Sequence, residues 1–278
     1  MVAMLIILIG VLIFSRGLAM ELPDWLCQTW PPIRQVIRTD HCGFSSVRLQ
    51  QLPREEILFP MLDRFASVYP VAKRPPVASQ WSMNYLSVLF PAVLAGILAR
   101  NLEIRVWKGD VELLHDDARP VALKVMERLP SLSPDQMAGY WERVLNDHLD
   151  PLFATISAWG GVSTKVLWGN VIAVWDGAFD RLRDALDPET FSMAHQWMET
   201  PVVADGRLKL RSLQRIVASP VPDICSSIPL RKHCCLHYLL HTPVVGKPEV
   251  LCEACPRLHR QPLAAQESYL RSIYHEHG

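Results

Sequence analysis

Four cysteines near the C-terminal end constrain this chain more than any other feature of its sequence. Cys234 and Cys235 are adjacent, and Cys252 and Cys255 form a Cys-x-x-Cys pair. Four thiolates this close together suffice to hold a tetrahedral zinc ion or an iron–sulfur cluster. The choice between these centres decides whether the chain is a redox protein or a protein stabilised by a structural metal.

The spacing of the cysteines separates the two centres only in part. Cys-x-x-Cys is the usual zinc knuckle, because two intervening residues let both sulfurs reach one ion from a tight turn. Adjacent cysteines suit a single ion less well, since neighbouring side chains diverge along an extended backbone. Two irons relax that demand, because their ligands do not have to converge on one point. The spacing therefore favours a two-iron cluster and leaves a single zinc ion open.

Composition limits the class of protein. Half of the 278 residues are hydrophobic and 20% are charged, which predicts one large domain, or one domain with a small appendage, around a substantial core. The 28 basic and 28 acidic side chains balance, so no overall charge attracts nucleic acid. The cysteine count is seven, and an odd number with four in a metal-type arrangement favours a reducing compartment, the cytoplasm.

Residues 1–19 form a hydrophobic leader that fits none of the usual targeting segments. As a helix, the apolar run from Val2 to Phe14 would rise about 20 Å, less than the roughly 30 Å hydrocarbon core of a bilayer. A secretory signal requires a positive residue before its apolar run, and none precedes this one. Three interpretations stay open: a leader translated from upstream of a true start at Met20, which we favour; a weak anchor giving peripheral association with the inner membrane; and an atypical signal.

The first half of the chain alternates helix and strand signals. Apolar residues at helical spacing predict a helix over Glu55–Val68. After a break at Arg74-Pro75-Pro76, the apolar stretch from Ser79 to Asn101 predicts buried core, as two short helices or as one helix bent at Pro91. Alternation then predicts a small antiparallel sheet, which comprises strands at Leu102–Trp107, Val111–Leu114 and Val121–Val125.

Helix signals dominate the second half. Ser133, Ser163 and Asp187 each precede a helical pattern and are suited to cap its N-terminus. The predicted fold class is α+β, with a predominantly helical body, a small antiparallel sheet and a short C-terminal cysteine-rich segment. We expect the body to span 20–215 and the metal-binding region to span 216–278.

Other candidate residues carry weaker signals. Four aromatic or polar residues on apolar helices could form a pocket wall, although core is the more common role of such residues: Trp81, Tyr85, Trp168 and Asn170. Trp159-Gly160-Gly161 could cradle an anion, but two glycines are a weak motif. The remaining cysteines, Cys27, Cys42 and Cys225, are expected to be buried thiols. We expect surface or supporting roles beside the sulfurs for four histidines: His233, His237, His241 and His259.

The segments Arg231–Tyr238 and Cys252–Pro256 together resemble the C-terminal signature of the FhuF-type ferric siderophore reductases. That signature has a basic stretch, Cys-Cys, an aromatic residue three positions on, and then Cys-x-x-Cys. Ser79–Tyr85 and Leu167–Asn170 resemble the family's Trp-containing helices, so the likeness runs from about Met20 to Leu258. The 16 residues between the two cysteine pairs exceed the family's interval, but the added loop-closure entropy costs only about 0.4 kcal/mol.

This resemblance implies a function. The four cysteines would ligate a 2Fe–2S cluster, and the protein would be an oxidoreductase that reduces siderophore-bound Fe(III) to Fe(II) by one electron, releasing iron from a hydroxamate-type siderophore. The chain has neither a GxGxxG after a strand nor a P-loop. An external ferredoxin or flavin reductase is therefore the expected electron donor. The alternative is a non-redox siderophore-binding or accessory protein with a structural zinc bound by the four cysteines.

Overall fold

A computed structural model describes most of the chain after its N-terminal segment. The described residues are 35–125, 129–183, 186–199, 202–203, 206, 208–242 and 249–275. The N-terminal leader and Cys27 therefore lie outside the described residues.

The elements follow the predicted mixture of many helices and short strands. Those before residue 130 are β1 (Ile37–Arg38), β2 (Ser45–Arg48), α1 (Glu55–Ala66), α2 (Arg74–Arg100), β3 (Glu112–Asp116) and β4 (Arg119–Lys124). Those after it are α3 (Pro134–Arg143), a π-helical turn (Val144–Leu149), α4 (Asp150–Gly160), α5 (Thr164–Leu182), α6 (Pro188–Glu199), β5 (Val202–Val203), β6 (Leu208–Lys209), β7 (Gln214–Ala218), β8 (Ser227–Arg231) and α7 (Leu263–His275). The predicted helix-rich α+β class is confirmed.

Helix α2 is the centre of the body. Pro75 and Pro76 occupy its first turn, where a missing N–H costs nothing, so they begin the helix rather than break the chain before it. The helix continues through Pro91 as one element of 27 residues and ends at a left-handed Asn101. Its most apolar window has the length and hydropathy of a membrane span, but 89% of that window is buried inside the protein. This agrees with the prediction that the stretch is core.

The sheet differs from the prediction in three ways: one predicted strand is absent, β1 and β2 were not predicted, and one pair is parallel. Its order is β1-β4-β3-β2, with β1 parallel to β4 and the other pairs antiparallel. The strands expected at 111–114 and 121–125 correspond to β3 and β4, but Leu102–Trp107 is not a strand. The N–H of Leu102 bonds to the carbonyl of Gly96 at the end of α2, and the N–H of Glu103 bonds to the carbonyl of Pro130. The helix end and a neighbouring loop thus take hydrogen bonds that a strand would need.

The predicted helix starts are confirmed by their caps. Ser133 and Gln136 form a reciprocal capping box at α3. The Ser163 side chain accepts a bond from the N–H of Lys165 at α5. The carboxylate of Asp187 accepts bonds from the backbone of the first turn of α6.

A second, smaller hydrophobic core lies in the C-terminal part. It is formed by six buried residues: Val221, Ile228, Leu251, Cys255, Leu258 and Leu270. The antiparallel pair β7–β8 leads from the body into this core, and an ion pair between Arg211 and Asp176 of α5 holds the segment before β7 on the body. The expected division at residue 215 falls inside β7, and the two-part organisation stays a prediction.

Close packing of α4 on α2 predicts opposite effects for two glycine-to-alanine substitutions. A Cβ on Gly160 would lie 2.5 Å from the Cβ of Ala78, so Gly160→Ala should lower the free energy of unfolding by about 1–3 kcal/mol. A Cβ on the exposed Gly139 of α3 meets nothing within 4 Å, so Gly139→Ala should raise that free energy by about 1 kcal/mol. Urea denaturation of both variants measures the difference, and equal midpoints would contradict this packing.

Candidate metal centre

The two cysteine pairs lie on two loops that the backbone holds together. The first pair follows the end of β8, and the second lies on the loop before the 3₁₀ turn Leu258–Arg260. The N–H of Arg231, the last residue of β8, donates to the carbonyl of Ala254 at 3.1 Å. The guanidinium of Arg257 lies 4.1 Å from the ring centre of Tyr238, which is the aromatic residue of the sequence signature. Both contacts join the first loop to the second.

The adjacent cysteines reach a common site because the chain turns immediately after them. Leu236 has a left-handed backbone, with φ of 65°, and a 3₁₀ turn follows at His237–Leu239. The N–H of Leu236 donates to the sulfur of Cys234 at 3.4 Å. Cys234 is half-buried, whereas Cys235 is buried.

The second pair forms a compact knuckle. The N–H of Cys255 donates to the carbonyl of Cys252 at 3.0 Å, which closes the turn. The sulfur of Cys255 accepts hydrogen bonds from the backbone of Leu258 and Arg257. Cys255 is buried and Cys252 is half-buried. Such a turn allows both sulfurs of a Cys-x-x-Cys pair to reach one metal.

The four thiols contact one another in a ring. Each thiol interacts with two others, in the order Cys234, Cys235, Cys252, Cys255 and back to Cys234. These interactions lower the pKa of Cys235 and of Cys255 and raise the pKa of Cys234 and of Cys252, because neighbouring thiols share a proton. The four thiols therefore titrate as one coupled group.

A buried polar network connects the ring to the helical body. The hydroxyl of Ser79 on α2 donates to the carbonyl of Cys235 at 2.7 Å. The side-chain amide of Asn170 on α5 donates to the hydroxyls of Ser79 at 3.1 Å and of Ser82 at 2.9 Å. Its oxygen accepts a bond from Arg231 at 2.6 Å. The cysteine loop is thus anchored on two core helices.

The protein matches a known family over the helical body. Residues 79–216 match the family model described as ferric iron reductase FhuF-like transporter. The chain belongs to this FhuF-like family. No curated protein matches the chain.

The FhuF-like region includes the anchoring residues but not the cysteines. It begins at Ser79 and contains Asn170, whereas Cys234 and the other three cysteines follow its end at residue 216. Family membership supports a general role in ferric iron reduction and iron acquisition. The assignment of the four cysteines as metal ligands rests on their spacing and geometry, and it stays a prediction.

The candidate pocket residues of the FhuF-like body are all core. Trp81, Tyr85, Trp168 and Asn170 are at most 1% exposed, so none forms an open pocket wall. Tyr85 is stacked on Trp81 and hydrogen-bonded to the buried His148 of the π-helical turn. Of these four residues, Asn170 is connected to the cysteine loop, through Ser79 and through Arg231.

The glycine motif after Trp159 also has a structural role. Gly160 packs against Ala78, and Gly161 is the left-handed residue that ends α4, with φ of 63°. The indole N–H of Trp159 donates to Asp63 at 3.0 Å. Packing and helix termination therefore explain this motif without an anion.

The other described cysteines do not belong to the four-cysteine ring, and two of the histidines contact residues near it. Cys42 is exposed, contrary to expectation, because it lies in a surface turn beside Asp40. Cys225 is half-buried in the small core, with its sulfur 3.2 Å from the hydroxyl of Ser219. Nδ1 of His237 lies 2.9 Å from the side-chain oxygen of Gln80, and Nε2 of His259 lies 3.2 Å from the carbonyl of Glu253.

Arg231 and its contacts with the body were missed in the sequence. The sequence analysis placed Arg231 only in the basic stretch of the family signature, whereas its side chain is buried against the body. The available signal was the pair Ser79 and Ser82, which are polar residues three positions apart on a predominantly apolar helix. Such a pair on a core helix requires polar partners from elsewhere in the fold.

The buried His148 predicts a pH dependence of stability. Burial lowers the pKa of His148 from 6.5 to about 3. The unfolded chain therefore binds this proton more readily than the folded chain as the pH falls from 6.5 towards 3, and stability decreases over that range by up to about 1.4 kcal/mol per pH unit. In His148→Gln the neutral side chain removes this contribution, so the stability profile measured by urea denaturation should be flatter there. Parallel profiles for the two proteins would show that the imidazole does not stay neutral.

Proposed function

We propose that the protein is a ferric siderophore reductase in which Cys234, Cys235, Cys252 and Cys255 hold a 2Fe–2S cluster. The observation that carries this proposal is the ring of four thiols, which two separate loops build on the edge of a FhuF-like body. Four cysteine thiolates are the donor set that such a cluster uses.

The chemistry of the site fits a negatively charged centre. Ligand cysteines must lose their protons when a metal binds. The buried guanidinium of Arg231 favours this loss, because its positive charge lowers the pKa of Cys235. All described cysteines are free thiols, which accords with a reducing compartment, and we therefore place the reaction in the cytoplasm.

The arrangement supports two irons better than one zinc ion. Adjacent Cys234 and Cys235 suit a single ion less well, since neighbouring side chains diverge along an extended backbone. A structural zinc site needs its four ligands to converge tetrahedrally on one ion. A two-iron cluster divides its four cysteines between two metals, so the four sulfurs do not have to converge on one point.

When bound, the cluster supplies one-electron transfer between an external donor and siderophore-bound iron. The donor, a reduced ferredoxin or flavin reductase, loses one electron and Fe(III) gains one. Hard oxygen ligands such as hydroxamates hold Fe(III) tightly, and the lower charge of Fe(II) weakens those bonds. The protein's own residues hold the sulfurs, limit water around Cys235 and Cys255, and anchor the loops on α2 and α5.

Removal of a ring thiol tests the proposal. Cys234→Ser and Cys255→Ser should each lose iron, labile sulfide and reductase activity together, because each serine removes one of the four sulfurs. The measurement is iron, zinc and sulfide content of anaerobically purified protein, with visible absorption before and after dithionite. Cys42→Ser is the matched control, because this thiol is exposed and not part of the ring, and it should retain full content.

Two results would contradict the proposal. Wild-type protein that contains zinc and no labile sulfide would support the non-redox alternative with a structural zinc. Full iron and sulfide in either ring variant would show that the ring is not the ligand set.

A further inference from the structure

Arg231 is a buried cation without a carboxylate partner. Its side chain is only 6% exposed. The guanidinium donates to the amide oxygen of Asn170 at 2.6 Å and to the sulfur of Met83 at 3.6 Å. In the part of the chain that the structure describes, no acidic side chain forms an ion pair with it. Neutral acceptors satisfy the hydrogen bonds of the guanidinium N–H groups but do not balance its positive charge. A buried unpaired charge is strongly unfavourable.

Asp176, which lies six residues after Asn170 on α5, already has a cationic partner. Asp176 of α5 forms an ion pair with Arg211 at 2.9 Å and accepts a bond from the side chain of Gln214 at 2.8 Å. Gln214 is the residue paired with Arg231 across β7 and β8. The fold therefore supplies a carboxylate to Arg211 and leaves Arg231 with an amide.

Negative charge on the cysteine sulfurs is the remaining partner. The guanidinium interacts electrostatically with the sulfurs of both Cys235 and Cys252, which belong to different loops. The backbone N–H of Arg231 bonds to Ala254, which lies between Cys252 and Cys255. The backbone of Arg231 is thus bonded to the second cysteine loop, and its guanidinium is buried beside the first.

We propose that Arg231 is the fixed counter-charge of the four-cysteine site, positioned by Asn170, and that it raises the reduction potential of the cluster. This inference rests on the proposed function. Four thiolates give the oxidised cluster a net negative charge, and reduction adds one more. A nearby cation stabilises the more negative state, so the cluster accepts an electron more readily. In this proposal Arg231 affects the reaction through the potential of the cluster and does not itself contact the siderophore.

Two substitutions remove the same charge in different ways. Arg231→Gln deletes the cation. Asn170→Asp keeps Arg231 and places a carboxylate on it at nearly the same geometry. Both variants should have a more negative reduction potential than the wild type, measured by redox titration of the cluster's EPR signal in protein matched for iron and sulfide content.

Two further variants separate charge from structure. Lys232→Gln removes a neighbouring but exposed cation, and its potential should equal that of the wild type. Arg231→Lys retains the charge, so its potential should lie nearer to the wild type than that of Arg231→Gln.

The inference is overturned if Arg231→Gln or Asn170→Asp has a full cluster and the wild-type potential. It is also overturned if Lys232→Gln shifts the potential as far as Arg231→Gln. If Arg231→Gln does not retain a cluster, Asn170→Asp and Arg231→Lys decide between the same outcomes. Wild-type protein without iron and sulfide would end the proposed function as well, whereas a normal cluster with an unchanged potential in the variants would end this inference alone.

Discussion

The hydrogen bond between Arg231 and Asn170 joins the cysteine segment to the helical body at a buried charge. A guanidinium removed from water must be surrounded by acceptors and by opposite charge within a few ångströms. Asn170 of the helical body supplies an acceptor, and under the proposed function the cysteine sulfurs would supply the negative charge. Because both requirements would meet at one side chain, Arg231 links the placement of the cysteine loops to that of the body.

Local signals were sufficient for most helices and insufficient for one strand. Caps such as Ser133 and Ser163 act within one turn of the residues they bond, so the sequence alone reveals them. The segment Leu102–Trp107 alternates like a strand, yet the end of α2 and Pro130 accept its first hydrogen bonds. Pairing depends on distant segments, and alternation cannot report which partners the backbone will find.

The candidate site likewise combines a feature that the local sequence reveals with one that depends on distant segments. The four cysteines stand out from spacing alone, because a candidate ligand set leaves its pattern along the chain, and their role as ligands stays a prediction. The burial of Arg231 was not predictable, since it depends on α2 and α5, which lie 61 or more residues away along the chain. A basic residue next to His233 and Lys232 has the composition of a solvated surface. Only the fold shows that its side chain points into the body.

The turn at Leu236 explains how adjacent cysteines share one site. A left-handed conformation costs a residue with a Cβ roughly 1–2 kcal/mol relative to glycine. Leu236 nevertheless adopts it, with its side chain packed against the main core and its N–H bonded to the sulfur of Cys234. Leu236 is partly buried, so its packing contributes a part of the roughly 1.5–3 kcal/mol of a fully buried leucine and acts against that strain. The body therefore stabilises the backbone shape that brings the two sulfurs together, and the cysteine segment depends on the helical body for its geometry as well as for its charge.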